Sequence, residues 1–191
     1  MLLRIAICLA AAVVVSVAAA ATIDSIKVDR DGDVYSLHSE TRLAASPEAI
    51  RAVLTDYENF DRISSVYKEF GYLEPAADGT PLMFTTMEGC VLFFCKSMTR
   101  VERLEVNSTE HIRTVTLPER SDFKRSVSEW LFEERDGVTY VTYTLEMEPD
   151  FFVPPVIGPW YLKRTLKRGG SDAVNRIESL AQALEVGEQG I

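Results

Sequence analysis

The sequence predicts an α+β fold in which a curved antiparallel sheet wraps around one long C-terminal helix. Between residues 34 and 148 the chain is largely a succession of segments in which apolar and polar residues alternate, as in strands with one buried face. From Pro159 onwards, apolar residues instead recur every three or four positions, the period of one helix face. A sheet with one apolar face needs a cover, and only this helix is long enough to provide it.

The composition is that of one globular domain. The chain has 191 residues, of which 47% are hydrophobic and 26% are charged, and it shows no internal repeat and no change of composition after Thr22. Its formal net charge is −9, and no basic tract dominates, so nucleic acid is not expected as a partner. We therefore expect a single domain over residues 22–191.

Residues 1–21 have the features of a secretory signal peptide. A short positive start that includes Arg4 precedes an apolar run over residues 5–18, and Ala19-Ala20-Ala21 supplies a small-residue cleavage site before Thr22. The apolar run is short and rich in alanine for a membrane span, although a retained N-terminal anchor is the alternative. We expect a periplasmic or secreted protein that is cleaved near Ala21 and has a net charge of −10.

Two cysteines, Cys90 and Cys95, remain in this mature chain, and an oxidising compartment favours a disulfide between them. Along one straight strand their Cα atoms would lie ~16 Å apart, whereas a disulfide requires about 4.4–6.8 Å. The residues between them must therefore bulge or turn, and Gly89 offers backbone freedom. Two buried free thiols are the alternative. No set of metal-ligating residues surrounds the pair, so we expect no metal site.

The first predicted elements are a strand, a helix and a second strand. Alternation over Val34–Leu43 predicts the first strand. Ser46 is suited to the N-cap of the helix and Pro47 to its first position. Residues 56–65 break or kink this helix and lead to a second strand over residues 66–73 and a turn over residues 75–81.

The middle of the chain predicts a meander of about five or six strands. The strand-like segments are 82–87, 91–106, 111–117, 123–134 and 138–148, with turns at 107–110, 118–122 and 135–137. The alternation places one set of residues on a shared face of the last two segments: Ser126, Ser128, Trp130, Phe132, Thr139, Val141, Tyr143, Leu145 and Met147.

The C-terminal helix has an apolar stripe and a polar face. The stripe consists of Leu162, Leu166, Ala173, Ile177, Leu180, Ala181 and Leu184, with Gly169 and Gly170 on or beside it. The two glycines indicate either a close contact or kink, or space left for something else. The opposite face, which includes Arg176 and Glu178, is expected to be solvated, and Gly187 is a candidate stop.

Four segments carry a resemblance to a known family. They are L-A-A-S-P-E-A-I-R-A-V-L-T-D-Y-E-N-F at 43–60, S-E-W-L-F-E at 128–133, G-V-T-Y-V-T-Y-T-L at 137–145, and P-D-F-F-V-P-P with the terminal helix. Their order and spacing resemble the START/Bet v 1-like (SRPBCC) superfamily, within it the bacterial polyketide cyclase/dehydrase and coenzyme Q-binding START-type lipid-binding proteins. The resemblance implies a helix-grip fold with an internal apolar cavity. The export signal and the G-C-V-L-F-F-C insertion distinguish the chain from the usual cytoplasmic members.

An apolar container with few hydroxyls is the site that these patterns favour. Such a lining suits a lipid, quinone or similar hydrophobic molecule, because apolar burial supplies affinity and hydroxyls set orientation. The alternative is a packed core without a lumen. The expected ligand-binding residues are Thr41, Phe84, Ser126, Ser128, Trp130, Phe132, Tyr143, Leu145, Leu166 and Gly170.

The segment before and within the start of the last helix is a candidate gate or peripheral membrane contact. Apolar residues next to a basic helix turn can dock on an anionic membrane surface, although most such clusters are simply solvated helix faces. The candidate residues are Phe151, Phe152, Ile157, Trp160, Lys163 and Arg164.

The sequence does not predict an enzyme and indicates no cofactor. It lacks G-x-S-x-G, H-E-x-x-H, a P-loop and a dinucleotide fingerprint, and its two histidines, His38 and His111, fall on a polar strand face and at a turn. We interpret both histidines as exposed bystanders. The function favoured is an exported carrier of a hydrophobic ligand. The alternatives are an aromatase/cyclase-type enzyme that uses the same cavity, or an interaction module whose cavity is vestigial.

Overall fold

The structure, a computed structural model, describes residues 21–91, 94–153 and 158–188. Within these ranges it does not describe the side chains of residues 90, 91, 94, 158, 159, 161–163, 165–169 and 188. The described elements are, in order, β1 (Thr22–Asp31), β2 (Val34–Leu43), α1 (Pro47–Thr55), β3 (Tyr67–Leu73), β4 (Leu82–Val91), β5 (Phe94–Ser108), β6 (His111–Thr116), β7 (Phe123–Arg135), β8 (Val138–Pro149) and α2 (Gly158–Glu188). Two 3-10 helices, Tyr57–Arg62 and Pro118–Arg120, follow α1 and β6.

All eight strands join one antiparallel sheet in the order β1-β2-β8-β7-β6-β5-β4-β3. The strands from β3 to β8 follow one another along the sheet, and the hairpin β1–β2 attaches to β8. The sheet is curved and open, and α2 follows it in the chain. This architecture confirms the predicted α+β helix-grip fold.

Strand β1 is the element that the sequence did not predict. It pairs with β2 over its whole length, but the register shifts between Ile23 and Ser25. The shift places Ile23, Ile26 and Val28 on one face although their spacing in the sequence is three and then two. A bulge of this kind removes the simple alternation by which a strand is recognised.

Helix α1 begins as predicted. Ser46 has an extended backbone and its side chain accepts a hydrogen bond from the Ala49 N–H, while Pro47 occupies the first turn. The buried face of α1 contributes to a core that fills one end of the space under the sheet. The core consists of Leu43, Ala45, Ala49, Ile50, Val53, Leu54, Tyr57, Phe60, Ile63, Met83, Leu104, Ile112, Phe132, Val141 and Ala181. Full burial of a large apolar side chain stabilises a fold by about 1.5–3 kcal/mol.

The second half of α2 packs on this core through its predicted stripe, here Ala173, Ile177, Leu180 and Ala181. Leu184 is 45% exposed, so the buried stripe ends before it. The helix continues to Glu188, one residue beyond the expected stop at Gly187.

Glu178 differs from its expected solvated position, because it is buried. Its carboxylate accepts hydrogen bonds from the backbone N–H groups of Ala21 and Ala44. Helix periodicity assigns Glu178 to the polar face of α2. It does not show that the start of β1 and the end of β2 pack against that face.

The two strands that carry the cysteines pair with each other. Cys90 at the end of β4 and Cys95 at the start of β5 are directly opposed in the antiparallel register. Opposed residues have Cα atoms about 4.5–5.5 Å apart, which is within the range of a disulfide. The disulfide itself stays a prediction.

Candidate functional site: a buried polar strip

The inner face of the sheet, defined here as the face that carries Met83, Leu104, Phe132 and Val141 of the core, also carries a group of buried polar residues. Register and alternation place them side by side on strands β4 to β8, since Thr85 opposes Arg100, Glu102 opposes Thr116, and Thr114 opposes Ser128. We call this group the polar strip. It consists of Thr85, Arg100, Glu102, Thr114, Thr116, Ser126, Ser128 and Tyr143.

An ion pair lies at the centre of the polar strip. Arg100 Nε is 3.0 Å from Glu102 Oε2, and the two side chains are only 11% and 2% exposed. Burial by itself lowers the pKa of Arg100, but the Glu102 carboxylate, with the nearby Tyr143 and Tyr67, more than offsets it and raises that pKa. The guanidinium is therefore a fixed positive charge, and the pair is neutral as a whole.

A chain of hydrogen bonds connects this ion pair to Ser128 on β7. The Thr114 hydroxyl donates to Glu102 Oε1 at 3.0 Å and lies 2.7 Å from the Ser128 hydroxyl. Ser128 lies diagonally across from Tyr143, since Ser128 opposes Leu145 and Trp130 opposes Tyr143. Burial raises the pKa of Tyr143, so its hydroxyl is neutral and remains a donor throughout the physiological range.

Three hydroxyls of the polar strip have no hydrogen-bond partner in the structure. They belong to Thr85, Thr116 and Ser126, whose residues are 1%, 5% and 1% exposed. A buried polar group without a partner costs about 1–3 kcal/mol, so native structures seldom retain several of them together. These hydroxyls and the Arg100–Glu102 pair can offer donors and acceptors to a bound polar group.

Most of the predicted ligand-binding residues lie on the inner face, but in two different surroundings. Ser126, Ser128, Tyr143 and Leu145 belong to or border the polar strip. Trp130 lies between the two regions, with its ring centroid 4.7 Å from that of Tyr143.

The other predicted lining residues on the inner face lie toward the packed core. Phe132 is a member of the core cluster, and the Thr41 hydroxyl donates to the Val141 carbonyl at 3.3 Å. Both side chains are already occupied by protein contacts. For these residues the sequence therefore predicted the correct face of the sheet. It did not distinguish the part of that face that packs in the core from the part that carries the polar strip.

The inward position expected for Phe84 is wrong. Its neighbours Met83 and Thr85 point to the inner face, so alternation places Phe84 on the outer face, where its ring covers Gly71. At Gly170, an added Cβ would meet only Ile26 Cδ1 at 3.9 Å, an ordinary contact, so steric space does not require glycine there. The side chain of Leu166 lies outside the described part of the chain.

A cleft of about 440 Å³ lies where β1, β2, β7 and β8 meet. Its lining is Arg30, Asp33, Tyr35, Lys124, Pro149, Asp150, Phe151, Phe152 and Val153. Tyr35 is buried, and its hydroxyl has no hydrogen-bond partner. It opposes Met147, which in turn opposes Ser126, so the register leads from this cleft into the polar strip.

Two of the predicted gate residues, Phe151 and Phe152, line this cleft. Phe151 lines it and contacts Phe123 edge-on, while Phe152 is 82% exposed. Trp160 is 61% exposed, and the Arg164 guanidinium lies 5.4 Å from the centre of its ring. Ile157 and the side chain of Lys163 lie outside the described part of the chain.

Sequence reasoning missed the residues at the centre of the polar strip, Arg100 and Glu102. In the run T-R-V-E-R-L-E-V, the apolar residues Val101 and Leu104 occupy an odd and an even position, which alternation places on opposite faces of the strand. The run therefore does not show which face is the inner one. Both faces are buried here, since Val101 on the outer face is 5% exposed and Glu102 on the inner face is 1% exposed.

The two histidines lie on the outer face of the sheet. His38 is partly exposed and lies 3.6 Å from Glu40. His111 is also partly exposed, and its Nδ1 lies near the Asn107 amide; the interpretation of both histidines as bystanders stays a prediction. In the part of the chain that the structure describes, no cluster of three or more potential metal ligands occurs, and no helix is long and apolar enough to cross a membrane.

The family comparison agrees with this architecture. Residues 35–182 match the family model described as polyketide cyclase / dehydrase and lipid transport. The chain belongs to this family. The match begins at β2 and ends within α2, so it includes every strand of the polar strip.

Solved structures confirm the fold. A START superfamily protein from Mycobacterium smegmatis matches with 19% identity and a TM-score of 0.60, and the match covers 76% of this chain and 98% of that chain. The STAR-related lipid transfer protein from Xanthomonas axonopodis matches with 15% identity, 83% and 99% coverage and a TM-score of 0.59. The Zhui aromatase/cyclase from Streptomyces sp. R1128 matches with 15% identity, 78% and 94% coverage and a TM-score of 0.58. No curated protein matches the chain.

Proposed function

We propose that this family member is an exported carrier that binds a hydrophobic small molecule, such as a lipid or quinone, between the sheet and α2. One observation carries the proposal: three buried hydroxyls without partners lie beside a buried ion pair on the inner face of the sheet. A polar group on an otherwise apolar ligand would satisfy these hydroxyls. The family description and the lipid transfer protein of the same fold support this proposal.

The chemistry of the polar strip favours an uncharged polar group on that ligand. Arg100 is already paired with Glu102, so the strip has no net charge to offset a ligand anion or cation. An isolated ion moved to this site would have a large desolvation cost, whereas a hydroxyl or carbonyl would exchange hydrogen bonds with Thr85, Thr116 or Ser126. Apolar contact would supply most of the affinity, at about 25 cal/mol per Å².

The proposed location is the periplasm or the exterior of the cell, after removal of a signal peptide, with residues 22–191 as a single domain. The support is the sequence pattern of residues 1–21 and the position of Thr22, which begins β1.

We propose that the cleft beside Tyr35 and the exposed aromatic residues Phe152 and Trp160 form the entrance and its membrane contact. Phe152 lines the cleft, and Arg164 supplies a positive charge beside Trp160. An apolar surface with adjacent cations is suited to an anionic bilayer, where the ligand would enter or leave.

The second candidate is an aromatase/cyclase-type enzyme. Titratable groups inside the site favour it, since hydrogen bonds connect the Arg100–Glu102 pair through Thr114 to Ser128, and Tyr143 lies diagonally across from Ser128 on β8. Enzymatic turnover would require a group that takes up or releases a proton during the reaction. An aromatase/cyclase is also among the proteins of this fold.

Native mass spectrometry of the protein purified from a periplasm, followed by organic extraction, tests the proposal. The expected result is a near-stoichiometric, uncharged amphiphile that is lost after delipidation and rebinds. A clean apo mass together with no binding from a panel of lipids and quinones would contradict the carrier function. Chemical conversion of the extracted compound on incubation would instead favour the enzyme.

A further inference from the structure

Glu178 on α2 is a buried carboxylate that no part of the proposed ligand site uses. The residue is 7% exposed, its Oε1 accepts the Ala44 N–H at 2.6 Å, and its Oε2 accepts the Ala21 N–H at 2.8 Å. Among the described residues, no Lys, Arg or His forms an ion pair with it. A buried carboxylate that has only neutral donors lacks the counter-charge that such groups normally have.

Ala21 is placed at the junction of the predicted signal peptide and the domain. It is partly buried against the core and immediately precedes β1. Residues 18–21 are four consecutive alanines, so two small-residue sites are possible. Cleavage after Ala20 would make Ala21 the first residue, and cleavage after Ala21 would make Thr22 the first residue.

We propose that the signal peptide is cleaved between Ala20 and Ala21 and that the new α-ammonium group of Ala21 forms a buried ion pair with Glu178. Hydrolysis by a signal-peptide endopeptidase adds water across the Ala20–Ala21 amide. It leaves a carboxylate on Ala20 and an amine on Ala21, which takes up a proton from solvent. The amide N–H that Glu178 accepts in the full chain becomes an ammonium at the same position.

The contacts of Ala21 favour cleavage before Ala21 over cleavage before Thr22. Cleavage before Thr22 would remove Ala21, which would leave Oε2 of a buried carboxylate without its donor and remove an apolar contact from the core. Cleavage before Ala21 keeps the contact and supplies the missing positive charge. Processing would then stabilise the domain, because hydrogen bonds to a carboxylate from a charged donor are stronger than those from a neutral amide.

This inference rests on the proposed export, and the mass of the mature protein tests the two separately. The protein is expressed from its full coding sequence, recovered from the periplasm and analysed by intact mass and N-terminal peptide sequencing. A chain that begins at Ala21 is the expected result. A chain that begins at Thr22 would overturn the inference alone, whereas a chain that still begins at Met1 and is recovered only from the cytoplasmic fraction would overturn export as well.

A stability comparison tests the ion pair. A chain with a free Ala21 amine is compared with one that has Gly-Ser placed before Ala21, so that the amine becomes an amide. The free amine is expected to raise Tm by about 2–4 °C, the shift that corresponds to the difference between a charge-assisted and a neutral hydrogen bond in a domain of this size. Equal Tm values for the two chains would overturn the ion pair.

Two variants on α2 provide the control. Glu178→Gln is expected to abolish the difference between the two chains. Glu185→Gln is expected to preserve it, because Glu185 Oε1 accepts the N–H of Ser46, which processing does not alter. A difference that persists in Glu178→Gln would contradict the pair. If that variant does not fold, acetylation of the Ala21 amine in the wild-type chain makes the same comparison, and an unchanged Tm would be the contradictory result.

Discussion

Neutralising Glu102 is expected to destabilise the protein strongly, since its carboxylate is the counter-charge of a buried guanidinium. In Glu102→Gln the side chain keeps its shape and an oxygen that can accept from Thr114, but Arg100 remains charged at 11% exposure. Removing one partner of a buried ion pair costs about 3–5 kcal/mol. For a chain of this length that corresponds to a decrease in Tm of about 6–20 °C.

Replacing both partners separates the cost of an unpaired charge from the worth of the pair. In Arg100→Met with Glu102→Leu, no charge remains buried, and the expected loss is smaller than that of Glu102→Gln alone, because apolar replacements of buried pairs are often nearly neutral. The same double variant removes the centre of the polar strip. We therefore expect it to fold but to lose its preference for ligands with a hydroxyl or carbonyl group over the matching hydrocarbon.

The assay is urea unfolding with the slope and midpoint fitted together, since an unchanged slope shows that the midpoint reports stability. The matched control is Glu133→Gln, which breaks the ion pair with Arg135 where both side chains are more than half exposed. Exposed pairs contribute about 0–1 kcal/mol. A Glu102→Gln variant that loses no more stability than Glu133→Gln would refute the reasoning.

Three further predictions address other parts of the molecule. Burial raises the pKa of Tyr143, so the stability that depends on its neutral hydroxyl is retained below pH 10 and lost as the pH rises further. Urea unfolding between pH 9 and 11.5 should show the free energy of unfolding decreasing with pH. In Tyr143→Phe this decrease should be shallower by about 1.4 kcal/mol per pH unit. Intact mass should show two hydrogens fewer than the reduced chain if Cys90 and Cys95 are bonded, and an unchanged mass after reduction would contradict the bond. Phe152→Ser should weaken sedimentation with anionic vesicles severalfold, whereas Leu131→Ser, at an exposed outer-face position, should not.

The face of each long strand could be predicted from the sequence wherever alternation was uninterrupted. Ser126, Ser128, Trp130 and Phe132 share the inner face as expected, because β7 pairs with β6 and β8 without a register shift over these residues. Alternation failed at β1, where a bulge interrupts it. For Phe84, alternation separated the two faces of β4 but did not show which of them was the inner face.

The character of the site was harder to predict than its location. Burial of Arg100 and Glu102 depends on residues distant in the sequence, including Thr114 and Tyr143, which no local pattern connects to them. Glu178 is a second example, since its helical position indicates a solvated face, whereas the ends of two strands supply its hydrogen bonds. The burial of these charged residues became apparent only from the arrangement of the strands and helices in three dimensions.

The most direct test of the central claim is a crystal structure of the protein loaded with its co-purified or rebound ligand. We expect density for an apolar molecule between the sheet and α2, with an oxygen atom within about 3.2 Å of the hydroxyl of Thr85, Thr116 or Ser126. A ligand bound elsewhere, or ordered water molecules that satisfy all three hydroxyls in a site without ligand, would contradict it.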